Sequence, residues 1–348
     1  MSTPNPSLPT SASSQRVSGF LFVLGAALLW SLAGIGIKLV PADGLVIAGL
    51  RSLFATPVFG LVLLWQARGL SASSVLRVAL GSPAVWLAAV DYALTVVLFV
   101  LASKLTTAAN AILLQYTAPI YVVLLSWPLL KEPVRKQDVL AVLCCLLGIA
   151  WFFADQLSTQ GLRGNLLAMA SGAGLGLLPL LLRRTERLLT PSKPPSPSHA
   201  VLPSHAVLCD QLQARAVLPT FALFLGNLLA TLAGLPFAIK TPPTLMTAWL
   251  TLVVLGVLQI GAAYLLYAAA VRRLKAIECL MICTLEPILN PVWVALGTGE
   301  LPSRPALIGG LMILCAVLAH GIYSELQKKR QDAPSQGVKA RSPDLPRP

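Results

Sequence analysis

The sequence predicts an all-α membrane protein with ten transmembrane helices, arranged as two inverted repeats of five helices each. Three observations lead to this prediction. First, 56% of the 348 residues are apolar and only 11% are charged, whereas a soluble domain carries about 25% charged residues. Second, the apolar residues gather in runs of about 20, the length that a helix needs to cross a bilayer core. Third, the two halves of the chain resemble each other.

Ten apolar runs are long enough to be transmembrane helices. Lipid offers no hydrogen-bonding partner to irregular backbone, so helices are the only structure expected for these runs. The predicted spans are 19–40, 45–66, 83–103, 106–130, 138–154, 164–182, 217–239, 247–271, 276–298 and 305–323.

The basic residues between the spans predict the orientation of the chain. Cytoplasmic loops of membrane proteins carry an excess of Lys and Arg. If the N-terminus is cytoplasmic and the spans alternate, 20 of the 26 Lys and Arg residues fall on the cytoplasmic side. We therefore expect a multi-pass protein of the cell membrane, surrounded by lipid, with both termini in the cytoplasm. The net charge of +13 does not indicate nucleic acid, because the basic residues form no continuous stripe.

Changes in composition divide the chain into segments. Residues 1–18 are rich in Ser and Pro and predict a disordered tail, and residues 324–348 predict a basic disordered tail. Residues 190–213 contain five prolines and a near-duplicate Ser-His-Ala-Val-Leu, which predicts a flexible cytoplasmic linker. A first five-helix repeat then covers 19–154, and a second, interrupted by the linker, covers 164–323.

An internal match supports the two repeats. At a shift of 168 residues, Pro119 falls on Pro287 and Asp91 falls on Gln259, whereas the first helices match at a shift of 145. The difference between the two shifts is close to the length of the Pro-rich linker. Because five spans is an odd number, the second repeat must be inverted relative to the first. Inverted repeats place a binding site near the bilayer midplane, between the halves.

Two short motifs resemble those of a known family. Leu-Leu-Gln-Tyr-Thr-Ala-Pro at 113–119 leads to Lys-Glu-Pro at 131–133, and Leu-Glu-Pro at 285–287 leads to Gly-Glu at 299–300. These resemble the repeat signatures of the EamA branch of the drug/metabolite transporter superfamily, and the resemblance covers about 19–323. It implies ten helices in two inverted five-helix repeats, a cavity lined mainly by the third, fourth, eighth and ninth helices, and export of amino acids, other metabolites or drugs.

Charged side chains within the spans are the sharpest functional signal, because a charge at the bilayer centre costs at least about 2.5–3.5 kcal/mol. Asp91 lies in the middle of the third span and Glu286 lies within the ninth. Each is a candidate for binding a substrate amine or a coupling proton, and a structural hydrogen bond between helices is the alternative. Arg51 is a further candidate, although it could also snorkel to the outer surface or pair with a carboxylate such as Asp91.

Polar and aromatic residues in the spans predict a polar, aromatic-lined cavity, with ordinary helix packing as the alternative for each residue. Pro119 lacks the N–H that would bond the Gln115 carbonyl, so this carbonyl is expected to lose its helical partner. The candidates are Asn110, Gln115 and Tyr116 in the fourth span, Gln259, Tyr264 and Tyr267 in the eighth, and Asn290 in the ninth.

Other patterns exclude several classes of protein. Gly172 and Gly176 belong to a Gly-rich stretch, but it lies inside an apolar span without a preceding strand. Close helix contact is therefore expected there, and phosphate binding is not. Neither the three histidines nor the six cysteines have metal-ligand spacing. We expect no cofactor, no metal, no enzymatic activity and no ATP-driven pumping by this chain alone.

These inferences predict a secondary transporter, specifically an exporter of small metabolites such as amino acids or related amphipathic solutes, that works by alternating access. Proton coupling is one hypothesis, and a homodimer is compatible with the sequence. The alternatives are a lipid or drug carrier of the same fold, a non-transporting scaffold and an intramembrane enzyme. Carboxylates at membrane depth argue against the scaffold, and the scattered histidines argue against the enzyme.

Overall fold

The computed structural model of the chain is a bundle of helices, and no strand occurs in the part of the chain that it describes. This confirms the predicted all-α class, and it follows from the need of a lipid-embedded backbone to bond within itself. The structure describes residues 10–130, 136–152, 161–187, 217–270, 273, 282–283 and 285–332.

The helices are numbered in chain order, with one π-helical stretch, π1, between α11 and α12. They are α1 Thr10–Ser31, α2 Ala33–Leu39, α3 Gly44–Gln66, α4 Ala72–Leu80, α5 Pro83–Leu105, α6 Ala108–Gln115, α7 Ala118–Leu130, α8 Lys136–Phe152, α9 Leu162–Arg187, α10 Leu218–Lys240, α11 Met246–Val253, π1 Val254–Ala262, α12 Ala263–Ala270, α13 Leu285–Thr298 and α14 Arg304–Asp332.

Six stretches of the described residues are helical, long and apolar enough to cross a membrane, which confirms six of the predicted spans and a multi-pass membrane protein. They are Val17–Leu39, Gly44–Gln66, Pro83–Leu105, Leu162–Leu182, Leu218–Lys240 and Met246–Ala270.

The other four predicted spans are not single long apolar helices in the described residues. The span predicted over 106–130 is divided into α6 and α7. The spans over 138–154 and 305–323 coincide with α8 and α14, whose apolar stretches are shorter. Only the part of the 276–298 span in α13 and at 282–283 is described.

The helices also extend beyond the predicted boundaries. Helix α1 begins at Thr10 and α14 continues to Asp332, so the helical part of the chain is longer at both ends than the tails 1–18 and 324–348 predict. Once an apolar helix has formed, each added residue gains a hydrogen bond without a new nucleation cost.

The predicted linker 190–213 lies outside the described residues. Helix α4 was not predicted. It buries Val75 and Ala79 one turn apart.

Glycines allow the helices to pack backbone against backbone. A Cβ added to Gly49 of α3 would lie 2.7 Å from the Cα of Gly234 in α10. On α9, a Cβ on Gly172 would lie 2.8 Å from the Gln115 carbonyl oxygen, and one on Gly176 would lie 3.2 Å from the Cβ of Tyr121. The predicted close helix contact at Gly172 and Gly176 is therefore confirmed. Small residues are the usual means of close helix packing in lipid.

One end of the bundle is held together by a set of polar contacts that we call the latch. The Lys38 ammonium lies 2.7 Å from a carboxylate oxygen of Glu300 and donates to the Thr106 carbonyl. The other Glu300 oxygen accepts from the Ala108 N–H at the start of α6, where the helix dipole favours a negative charge. Nearby, Lys104 donates to the carbonyl of Val40. These contacts join α2, α5, α6 and the residues that follow α13.

We expect Gly49→Ala to destabilise the bundle, because its Cβ would meet the backbone of α10 rather than a movable side chain. Overpacking of this kind costs about 1–3 kcal/mol. Gly60→Ala on the same helix is the matched control, since its Cβ would meet Phe224 at an ordinary 3.4 Å. Thermal unfolding of the purified protein in detergent should give a midpoint several degrees lower for Gly49→Ala than for Gly60→Ala. Equal midpoints would contradict the backbone contact.

Candidate functional site

A cavity of about 150 Å³ lies inside the bundle, between helices of both halves of the chain. Residues of α1, α2, α3, α5 and α6 line it from the first half. Residues of α9, π1, α12 and α13 line it from the second half. Its polar lining includes Arg51, Thr95, Gln115, Gln259 and Glu286.

Irregularities in three helices meet at this cavity. The first span breaks at Leu32, and the next residue, Ala33, lines the cavity. The fourth span, predicted as one run over 106–130, breaks between α6 and α7, and Tyr116 at the break lines the cavity. The eighth span contains π1, which carries Gln259. Interrupted helices and π-helical stretches are frequent at ligand sites in membrane transporters and other proteins.

The structure brings together six of the ten candidate residues predicted from the sequence. All six line the cavity: Arg51, Gln115, Tyr116, Gln259, Tyr264 and Glu286.

Three other candidates lie outside the cavity lining. The Asn110 amide lies at the latch end of the bundle, where its Nδ2 donates to the Thr106 hydroxyl over 3.2 Å. The ring of Tyr267 packs against Trp30, with their centroids 5.3 Å apart. Asn290 is buried against Gly34 of α2.

The fourth candidate residue outside the cavity lining is Asp91, which lies one helical turn before Thr95 in α5. The repeat predicts that Asp91 and Gln259 both face the cavity, but only Gln259 does so. Tyr92 and Thr95 occupy the face of α5 that lines the cavity, and Asp91 points about 100° away from Tyr92 around the helix. Its Oδ2 is buried without a hydrogen-bond partner among the described residues. Its Oδ1 lies 3.2 Å from where a Cβ on Gly174 of α9 would be.

Glu286 is held at the first turn of α13, where the helix dipole favours a negative charge. The Tyr116 hydroxyl lies 3.1 Å from Glu286 Oε2 and 3.2 Å from the carbonyl oxygen of Cys283. Tyr116 stands at the break in the fourth span, so this contact joins the irregular part of one half to the ninth span in the other.

Gln115 belongs to a second connection between helices. Its Nε2 donates to the Ser171 hydroxyl over 2.8 Å, and Ser171 in turn donates to the Thr95 carbonyl over 2.9 Å. The carboxamide oxygen of Gln259, by contrast, is buried without a hydrogen-bond partner among the described residues. Gln115 is therefore fixed by neighbouring helices, whereas Gln259 presents an acceptor that those residues do not satisfy.

Arg51 is buried inside the bundle, with 3% of its surface exposed, so it does not snorkel to the outer surface. Its Nη2 donates to the Val96 carbonyl over 3.3 Å. Its Nε and Nη1 have no hydrogen-bond partner among the described residues, and it forms no ion pair with Asp91.

Aromatic rings form one wall of the cavity. Tyr264 is at the centre of this wall, because its ring centroid lies 5.4 Å from that of Trp30 and 6.2 Å from that of Tyr92. Neither Tyr92 nor Thr95 was predicted as a site residue. The sequence signal that could have identified them is their position within about one helical turn of the charged Asp91.

No group of three potential metal ligands occurs among the described residues. The arrangement offers one guanidinium, one carboxyl group, two carboxamides and a wall of aromatic rings to a solute. Such a set can bind a small amphipathic molecule, because the rings cover its apolar part and the polar groups orient it.

Comparisons with known proteins identify the family of the chain. The model of the EamA-like transporter family matches residues 17–154 and 204–321, so the chain belongs to this family of membrane transporters. An uncharacterized transporter of Bacillus subtilis (strain 168), YwfM, is 25% identical over 317 residues, which cover 90% of this chain and 97% of YwfM. A solved crystal structure with 20% sequence identity has a TM-score of 0.53 and covers 90% of this chain and 99% of its own, which shows a shared fold.

We expect Tyr116→Phe to lower the stability of the protein, because it removes the hydroxyl group beside a buried carboxyl group. Leaving such a group without its partner costs about 1–3 kcal/mol. In a double-mutant cycle, Glu286→Gln and Tyr116→Phe together should cost clearly less than the sum of the two single variants, measured by thermal unfolding in detergent. Strictly additive effects would show that the two side chains do not interact.

Proposed function

We propose that the protein is a secondary transporter of small metabolites, such as amino acids or related amphipathic solutes, and that it works by alternating access around the cavity. In this proposal the ten predicted spans form two inverted five-helix repeats. The observation that carries the proposal is the cavity itself, because it lies where the two halves of the chain meet and contains charged, polar and aromatic groups.

The internal repeat is related to the cavity in a specific way. At the shift of 145 residues, Trp30 corresponds to Leu175 and Ala33 to Leu178, and all four residues line the cavity. The first span of the first repeat and the equivalent span of the second repeat therefore both line the cavity.

The same relation holds at the shift of 168 residues. Tyr92 corresponds to Ile260 and Val96 to Tyr264, and these four residues also line the cavity. Equivalent positions around one space are what a pseudo-two-fold axis through the site would produce, and they support the inverted repeat.

The latch supports alternating access, because access to the cavity from that end requires its contacts to separate. The shift of 145 residues relates Lys38 to Arg183, and the shift of 168 residues relates Glu132 to Glu300. The sequence therefore contains a second pair of one basic and one acidic residue, equivalent to Lys38 and Glu300 under the repeat. Glu132 lies outside the described residues. In an inverted repeat, equivalent positions lie at opposite ends of the bundle, as a mechanism that opens one end at a time requires.

The small volume of the cavity favours small solutes over lipids, the main alternative for this fold. We propose export as the direction, because the family resemblance implies it.

We propose the proton as the coupling ion. Asp91 is the first candidate for proton binding, since its carboxyl group is partly buried and Oδ2 lacks a partner among the described residues. Glu286 is the second candidate, and a substrate amine is the other ligand proposed for it.

The function can be tested in two stages. A deletion strain is screened for accumulated metabolites and for sensitivity to toxic analogues. The solutes identified are then assayed with the purified protein in liposomes. We expect uptake of at least one solute that depends on the protein and increases with an imposed proton gradient. If no solute accumulates in cells and none is transported in liposomes, the proposed function is wrong.

We expect the latch end of the bundle to face outward and both termini to be cytoplasmic. In a cysteine-free background, Lys240→Cys should react with a membrane-impermeant maleimide in intact cells. Arg68→Cys, which is also exposed, should react only after the membrane is permeabilised. Labelling in the opposite order would reverse the topology. Labelling of both residues in intact cells would contradict the alternation of the spans.

We expect Asp91→Asn to express normally and to lose gradient-driven transport, because it keeps the shape of the side chain but cannot exchange a proton. Solute exchange without a gradient should persist. Asp43→Asn is the matched control, because Asp43 is exposed at the start of α3 and should behave as the wild type. Measurement of uptake in liposomes with and without a pH gradient separates these cases. Wild-type rates with unchanged pH dependence would make Asp91 structural and Glu286 the leading candidate.

A further inference from the structure

Arg51 is a buried cation on the cavity lining that lacks a counter-ion among the described residues. We infer that it binds the carboxylate group of the transported solute. This inference rests on the proposed transport function and gives it a more specific substrate class, a small carboxylate with a flat apolar body.

The position of Arg51 suits this role. It lies in α3, about 6 Å along the helix axis from the middle of that helix, so the charge is deep in the apolar region. A Cβ on Gly256 of π1 would be only 2.5 Å from the Cβ of Phe54, so α3 and π1 pack closely beside Arg51. The Arg51 side chain itself is buried and lines the cavity, so it stays inside the bundle and does not extend to a membrane surface.

The hydrogen bonds of Arg51 are incomplete. A guanidinium carries N–H donors on every nitrogen and accepts no hydrogen bonds. Only Nη2 has a described acceptor, the Val96 carbonyl, whereas Nε and Nη1 are buried without one. A buried guanidinium with free donors is well suited to a carboxylate, because the planar group matches the geometry of two carboxylate oxygens.

Neither of the two candidate carboxyl groups, those of Glu286 and Asp91, neutralises the charge of Arg51. Glu286 lines the same cavity but forms no ion pair with Arg51, and neither does Asp91. An uncompensated buried charge is strongly unfavourable. Here the space next to the charge is a cavity, so a bound solute can supply the negative group in each transport cycle. Arg51 and Glu286 both line this cavity, so a solute bound in it is bordered by both side chains.

The remainder of the cavity limits the size and shape of the solute. Its volume of about 150 Å³ equals that of an engineered protein cavity of about 150 Å³ that binds benzene. The rings of Trp30, Tyr92 and Tyr264 form the apolar wall. A flat ring of this size that carries one carboxylate would place its apolar face on the aromatic wall and its charge on Arg51.

The test compares solutes that differ only in charge. Purified protein in detergent is titrated with benzoate and benzamide, and with L-proline and L-prolinamide, while the thermal unfolding midpoint is followed by tryptophan fluorescence. We expect at least one carboxylate to bind the wild type at least tenfold more tightly than its amide. Arg51→Gln should abolish this difference. Arg51→Lys should keep a weaker preference, because it retains the charge but loses the planar donors.

Lys240→Gln, which removes an exposed charge that is not part of the cavity lining, is the control and should behave as the wild type. The inference is overturned if neither carboxylate binds the wild type more tightly than its amide, or if Arg51→Gln retains the preference. The wild-type comparison decides the matter even if a variant does not fold. Transport of neutral solutes in liposomes without any preference for carboxylates would leave the transport function standing and reject only the role of Arg51.

Discussion

The structure depends on one constraint, which is that polar groups placed in a bilayer must find their partners inside the protein. For the backbone, this constraint permits helices and excludes irregular chain that faces lipid. For the side chains, it directs polar groups towards other helices. Glycines such as Gly49, Gly172 and Gly234 then let the helices approach until such partners are within reach. In lipid this close packing replaces much of what the hydrophobic effect does for soluble proteins.

The same constraint explains where the helices are irregular. The breaks at Leu32 and at Tyr116–Thr117 and the stretch π1 would expose unpaired backbone groups if they faced lipid. All three occur instead where the chain borders the cavity. Irregular backbone is tolerated at membrane depth only in such places, and there it supplies polar groups to a solute. The location of the cavity and the location of the breaks therefore have a common cause.

Charge is distributed in two different ways inside the bundle. At the latch, Lys38 and Glu300 neutralise each other and also bond the backbone of neighbouring helices. At the cavity, Arg51 and Glu286 belong to one lining without forming an ion pair. A paired site stabilises one arrangement of the helices, whereas an unpaired site is suited to a ligand. The protein thus has paired charges at the latch and side chains without an ion-pair partner at the cavity.

The sequence by itself determined the class of the fold and which polar residues belong to its apolar runs. The length and composition of the apolar runs predicted the helices, because these effects act within one segment of chain, whereas the break in the fourth span was not predicted. Six of the ten candidate site residues line the cavity, since polar residues in apolar spans are rare and face inward. Only the tertiary structure decided which of these residues line the same cavity. Asp91 and Tyr92 are neighbours in sequence, yet only Tyr92 lines the cavity. One residue turns a side chain about 100° around a helix, and only the packing of α5 against its neighbours decides which direction faces the cavity.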